Sequence, residues 1–319
     1  MESSITFLEN YMKELMMLFG VTLAKRYTRT QKRIFYSQAE PLFNDLGFSF
    51  EFQQSQSRIS QITNIIIGNL AQAQYIVLCP YDTPAKSLLP YRYYPFNWSD
   101  NARQENREIF LQTLFYIGLS ALIYLVAAQF LVLALWQKII GIALLSVLLF
   151  YSYKLIVGIA NPINFNRNSA SLALLFSLAQ HTQRTKKVAY VLLDKNTGSN
   201  AGLKLLAESQ LIKDQDLIYL DCLAHGDEIV CAHEPASNVE AQKLIAALSK
   251  IELIDHQFED NDRIKDTNLQ VFPHMLHLCV GEVENRKFLV RNTRSKKDFK
   301  VDMPRLEMLR EGLTKYLEG

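Results

Sequence analysis

His225, Asp227, Glu228, His233 and Glu234 follow Asp221 within a short stretch. Imidazole and carboxylate side chains this close together are the donors from which a divalent-metal site is made. Glu228–Ala232 reads as a strand, however, and the polar residues flanking it then read as ordinary turn residues. His274 and His277 stand three apart in an extended-looking run, where alternate side chains face opposite sides; this spacing argues against a shared ion. Cys79, Cys222, Cys231 and Cys279 lie in strand-like runs without CxxC spacing and read as buried free thiols of a reducing compartment. The chain has no nucleophile elbow, phosphate loop or dinucleotide fingerprint. A net charge of +2 over 319 residues gives no ground for a nucleic-acid partner.

Tyr91, Tyr93, Tyr94, Phe96 and Trp98 crowd into one stretch with Arg92. They fit an aromatic belt at a membrane surface and equally the lining of a ligand cleft. Lys25, Arg26, Arg29, Lys32 and Arg33 form a basic patch around Tyr27, and Arg294, Lys296, Lys297 and Lys300 form a second. A solvated face is the favoured reading of both, and contact with anionic lipid headgroups is the other.

The elements that must position these residues alternate. Helical patterns cover about Ile5–Phe19 and Gln31–Leu46, and strand-like runs follow at Phe48–Phe52, Thr63–Ile67 and Tyr75–Cys79. Later strands are expected at Val188–Leu193, Leu217–Cys222, Glu228–Ala232, Leu276–Val280 and Phe288–Val290. Helices are expected at Ser169–His181, Ala201–Ser209, Asn238–Lys250 and Pro304–Leu317. This order predicts an α/β fold with a mixed, mostly parallel sheet and helices on both faces.

Between Ile109 and Ala160 the only charges are Lys138 and Lys154. A bilayer core needs about 20 apolar residues per crossing, so the block predicts a transmembrane hairpin. Its helices are expected at Phe110–Leu133 and Lys138–Val157, turning near Leu135-Trp136-Gln137. Residues 1–107 and 161–319 then form two parts of one domain, with the hairpin at 108–160 inserted between them. The hairpin base carries Arg103, Arg107, Lys154 and Arg167 and the tip only Lys138, so the positive-inside rule places the soluble part and both termini in the cytoplasm. The first residues, with Glu2, Glu9, Lys13 and Glu14, are expected to be an amphipathic helix and not a signal peptide.

The run Asn64–Gly68, a turn, then Tyr75–Thr83 with Pro80-Tyr81-Asp82-Thr83 resembles the opening of the M28-family zinc aminopeptidases. There a strand pair ends in His-x-Asp-[Ser/Thr]. Arg167-Asn168-Ser169-Ala170-Ser171 is similar to that family's Asp-Asn-Ala-Ser-Gly helix start. Val188–Gly202, with Leu192-Leu193-Asp194-Lys195-Asn196-Thr197 and then Gly202, is similar to its strand ending in Asp-Gly-Glu-Glu. Leu217–Asp221 with Gly226-Asp227 looks like the strand bearing a later Asp ligand, and Asn292-Thr293 falls where the family has His-Thr. The resemblance implies the fold, and in that fold both motifs flanking the hairpin rim the active-site cleft, so the cleft is expected near the membrane.

The resemblance also implies a two-zinc site, but the ligand positions have changed. The first His becomes Pro80, which offers no donor atom. The bridging Asp becomes Arg167, a cation where dications should sit. The Glu-Glu pair becomes Asn196 and Thr197, and the last His becomes Asn292. Asp221 alone remains as a ligand, with Asp82 in the supporting position. The expectation is therefore a catalytically inactive, peptidase-like membrane protein without a cofactor. It would act as a binding or scaffolding subunit for a peptide segment, a lipid headgroup or a membrane-protein partner. The alternative is a membrane-anchored metallo-aminopeptidase with a non-standard zinc site.

Overall fold

Apolar runs with no polar alternation belong to strands covered on both faces, and three such runs form the centre of the sheet. The structure is a computed structural model. It describes residues 11–55, 61–129, 132, 134–183, 185, 187–259 and 261–319. The strands are β1 (Phe50–Gln54), β2 (Thr63–Ile67), β3 (Tyr75–Pro80), β4 (Arg92–Tyr93) and β5 (Val188–Leu193). They continue with β6 (Asp216–Asp221), β7 (Glu228–His233), β8 (Ile254–Gln257), β9 (Met275–Glu284) and β10 (Lys287–Arg291).

They hydrogen-bond in the order β1-β2-β5-β3-β6-β9-β10-β4, with β7 on β9 and β8 on β7. β5, β3, β6 and the first half of β9 run parallel. β1, β2, β7, β10 and β4 make antiparallel pairs. The fold is thus mixed α/β, and β5, which follows the apolar block in sequence, is hydrogen-bonded between two strands that precede it.

The helices are α1 (Arg29–Asp45), α2 (Trp98–Gln129), α3 (Leu135–Val157), α4 (Ala170–Thr182), α5 (Ala201–Glu208), α6 (Asn238–Ala247) and α7 (Met303–Glu318). The two-residue period of a strand sends Ile65 and Ile67 to one face and Ile66 to the other. The first face packs against the N-terminal helical segment, α1, α4, α6 and α7 through Phe19, Phe35, Phe43, Phe176, Leu244 and Leu309. The second packs against α5 through Leu203 and Leu206. α4 is buried almost all round, as a helix apolar on every side must be. Each Leu or Phe that it buries contributes roughly 1.5–3 kcal/mol.

Most expected elements appear within a residue or two of their place. Residues 1–10 of the first expected helix lie outside the described residues, and residues 11–22 are helical, widening into a π-helical turn at Leu18–Thr22. Two strands have no counterpart in the expectation. β4 is only two residues long, and every residue of β8 is exposed, so neither leaves an apolar run.

The hairpin differs in two respects. α2 starts at Trp98, because Asn101 and Gln104 bond back to Tyr94 and Arg92 in and beside β4. One helix therefore belongs to both regions. The turn falls before Leu135, and Leu135-Trp136-Gln137 open α3. Gln137, expected in the turn, instead accepts a hydrogen bond from the Ala134 amide as part of the helix cap. Both helices are long and apolar enough to cross a membrane, with only Leu119 and Ser152 buried among their described residues. Tyr116 donates to the Ser152 carbonyl across the pair. At the base, Ala85 bridges Ala160 and the Lys86 amide donates to Ile159.

Candidate functional site

The carboxyl ends of parallel strands gather side chains at one edge of a sheet, and Asp221 is the last residue of β6. Its carboxylate is fully buried. Arg167, also buried, reaches it from the segment Phe165–Ser169 just before α4, with Nη1 2.5 Å from Oδ1. Tyr93, held at the sheet's end by pairing with Val290, donates its hydroxyl to Oδ2 at 2.6 Å. The Arg167 guanidinium lies over the Tyr93 ring, an arrangement that adds cation–π attraction to the ion pair. His277 on neighbouring β9 brings Nε2 to 3.7 Å from Oδ2. Neither ring nitrogen of His277 has a hydrogen-bond partner among the described residues.

Burial alone would raise the Asp221 carboxyl. Arg167, with His277 and Tyr93, outweighs it and holds the group below the ordinary carboxylate range. Burial opposes the Arg167 charge in the same way, yet Asp221 keeps its pKa well above the usual value. The pair is therefore ionised, and each charge is the other's compensation.

The segment carrying Arg167 is fixed from several sides. Asp298 accepts the Asn166 and Arg167 amides at 2.9 and 3.0 Å. Asn166 accepts from the Ala224 amide and donates to the His225 carbonyl. Asn168, at φ 84°, donates to the Asp82 carbonyl. Burial pushes the Asp298 carboxyl up to about 7, against the pull of those two amides and of Arg167.

The other positions taken from the resemblance fall into place as follows. Asp82 accepts from the Asn196 amide at 3.0 Å and from the Thr197 hydroxyl at 2.6 Å. Asn196 donates to the Tyr219 hydroxyl and accepts from the Leu203 amide. These three residues brace the loop after β5, where Gly202 allows close packing: a Cβ there would lie 2.3 Å from the Asp194 carbonyl oxygen. Pro80 ends β3 opposite Leu193. Asn292 is exposed, at φ 64°. Two groups within the set are in contact: Asp82 with Asn196 and Thr197, and Arg167 with Asp221.

The aromatic run divides between two hollows. Tyr91, Tyr93 and Trp98 line a cavity of about 150 Å³ whose far wall is Asn196–Asn200, beside the Arg167 pair. Tyr94 and Phe96 line a second, of about 500 Å³, with His256, Phe258 and Phe288. Arg294 is half-buried and not a solvated cation. It stacks on Tyr91, with Cζ 4.0 Å from the ring centre, and pairs with Glu105 of α2. Arg26 is fully buried rather than part of a solvated face, and it donates to the carbonyls of Tyr81, Phe19 and Leu23. Burial pulls its pKa down to about 10. Lys32 pairs with buried Asp194. The turn-like cluster stays dispersed: His233 is buried between Glu234 and Asp255. His274 is exposed, whereas His277 is buried.

Sequence reasoning missed Asp298, Arg26 and the place of His277 beside Asp221. Cys222 and Cys279 also stand there, their ligand atoms and one of Asp221 all within 4.8 Å of one another. A zinc ion does not fit this set while Arg167 holds Asp221. Its Nη1 is 3.3 Å from the Cys222 sulfur, so the guanidinium stands against two of the three donors.

No family model matches the sequence, and no curated protein matches it by sequence. Solved structures do share the fold. Porphyromonas gingivalis glutaminyl cyclase aligns over 98% of this chain and 96% of its own, with 10% identity and a TM-score of 0.58. Macrostomum lignano glutaminyl cyclase aligns over 97% and 88%, with 11% identity and a TM-score of 0.56. Legionella pneumophila LapA aminopeptidase aligns over 98% and 69%, with 9% identity and a TM-score of 0.54. The chain therefore has an aminopeptidase-like fold, the one that the sequence resemblance implies.

Proposed function

We propose that this chain is a membrane-anchored, aminopeptidase-like protein that binds and does not cut. One observation carries the reading. At the sheet edge, where the resemblance expects zinc ligands, the Asp221 carboxylate is occupied on both oxygens by Arg167 and Tyr93. A buried guanidinium supplies the positive charge that a metal would otherwise bring, and leaves no polarising ion or activated water for hydrolysis.

The hairpin α2–α3 is the anchor, crossing the bilayer twice, with the soluble part on the cytoplasmic side because the base carries Arg103, Arg107 and Lys154. The cavity walled by Tyr91, Tyr93 and Trp98 opens where α2 leaves the soluble part. It is the place for a peptide segment or a loop of a membrane-protein partner. Two of the structures that share the fold are glutaminyl cyclases and one an aminopeptidase, so the reading keeps that fold and gives its sheet edge a different task.

The competing reading, a metallo-aminopeptidase with a non-standard site, draws on the Asp221, Cys222 and Cys279 cluster and needs Arg167 to withdraw. The full-length protein, purified in mild detergent, separates the two. We expect no stoichiometric metal and no turnover of aminoacyl or N-terminal glutaminyl reporters. Stoichiometric zinc with chelator-sensitive turnover would overturn the proposal.

A further inference from the structure

Glu108 and the arginines around it divide the base of α2 into a sealed side and an open side. Glu108 faces the segment before β4, accepting hydrogen bonds from the Ser87 hydroxyl and the Leu88 and Leu89 amides. Its charge is thereby spent inside the structure. On the open side, Arg103 and Arg107 stand one turn apart and, with Arg92, line a groove of about 520 Å³. Gln104 fixes the groove's geometry: it accepts from the Arg92 amide and donates to the Arg92 carbonyl.

The charge balance in this groove is positive. Asp100, its acidic residue, is shared between Lys287 and Arg103, and Arg92 reaches Glu284 at 3.1 Å. Arg107 is exposed and has no hydrogen-bond or ion-pair partner among the described residues. Like charges one turn apart on a helix repel, and an anion between them removes that cost.

The groove's height along α2 identifies the anion. The exposed apolar surface begins at Ile109 and Phe110, so at ~1.5 Å per residue Arg107 lies about 3 Å and Arg103 about 9 Å outside it. A headgroup layer is roughly 5–7 Å deep, and an arginine side chain spans the remainder. We propose that this groove binds the phosphodiester headgroup of an anionic phospholipid, whose acyl chains lie along the apolar flank of α2. The inference rests on the membrane-anchored reading above.

The test uses the full-length protein, delipidated in mild detergent and titrated with phosphatidylglycerol or phosphatidylcholine, with bound lipid counted by native mass spectrometry. Arg103→Gln/Arg107→Gln is compared with Lys296→Gln/Lys297→Gln, a change to exposed cations elsewhere on the soluble part. The wild type should prefer phosphatidylglycerol. The arginine variant should lose that preference by about twentyfold, and the lysine variant should keep it. Equal loss in both variants would show diffuse attraction and overturn the groove. So would an unchanged preference in the arginine variant, or displacement of the lipid by equimolar inorganic phosphate. Flotation with phosphatidylcholine vesicles separates the two layers of the argument. Protein that does not float refutes the anchor and this inference together, whereas protein that floats without lipid preference refutes this inference alone.

Discussion

Arg167 lies over Tyr93, its guanidinium carbon 3.9 Å from the ring centre, and both residues hold the same carboxylate. The tyrosine thus shields the ion pair on one face and completes its hydrogen bonding on an edge. Removing only the hydroxyl separates these two roles. Tyr93→Phe keeps the ring and leaves one oxygen of a buried, ionised Asp221 without its donor. A hydrogen bond to a charged group contributes about 1.5–3 kcal/mol, so the variant's denaturant midpoint in detergent should fall accordingly. An unchanged midpoint would show that Tyr93 merely covers the pair.

The pair itself is tested by a cycle of variants. Arg167→Met strands Asp221 in the core and should cost about 3–5 kcal/mol. Asp221→Leu strands Arg167 and should cost a similar amount. The double variant, with neither charge, should recover most of the loss, because it is the uncompensated charge that is expensive. Additive losses in urea titrations would mean that the two side chains do not compensate each other.

Asp298 gives the fold a pH dependence of definite sign. Its carboxyl is pushed up to about 7 by burial, whereas an unfolded aspartate titrates near ~3.9. The native state therefore binds this proton more tightly. The group's contribution to stability is full below pH ~4 and is lost as pH rises through about 7. Asp298→Asn should remove that component. The wild-type-minus-variant stability difference, measured by denaturant melts across that range, should decline with rising pH. A difference that stays flat would place the titration elsewhere.

All four cysteines are buried and free. Burial raises every thiol, Cys231 to about 12, with Cys79 and Cys279 well above their ordinary value. Since the thiolate is the reactive form, an aromatic disulfide reagent should label none of them in the native protein at neutral pH and all four in denaturant. Rapid native labelling of Cys222 or Cys279 would show that the Asp221 corner is open to solvent.

The parts of the fold that could be read from the sequence are those whose residues state their own environment. Ile65–Ile67 and Val188–Leu193 are unbroken apolar runs, and the strands expected at Thr63–Ile67 and Val188–Leu193 form with those bounds. β8 states nothing of the kind: Asp255, His256 and Gln257 look like loop residues, and only pairing with β7 makes them a strand. The site shows the same division. Sequence reasoning saw that Arg167 opposes a cation, a property of the residue type. It did not see that Arg167 pairs with Asp221 and lies over Tyr93, because that depends on Tyr93 and Asp221 arriving from distant strands. Arg26 shows the limit most plainly. It sits in a run of basic residues, and its burial is decided by the carbonyls of Phe19, Leu23 and Tyr81, to which no local pattern points.

The strand order has a consequence for how the molecule is made. β2 ends at Ile67 and β3 at Pro80, but the strand that lies between them, β5, begins only at Val188. During synthesis the early strands emerge with a gap at their centre, and the whole apolar hairpin must be delivered before the filler arrives. Long-range strand pairing of this kind is slow, and its open edges are prone to aggregate. The nascent chain must therefore hold two sticky edges apart while its hairpin is placed.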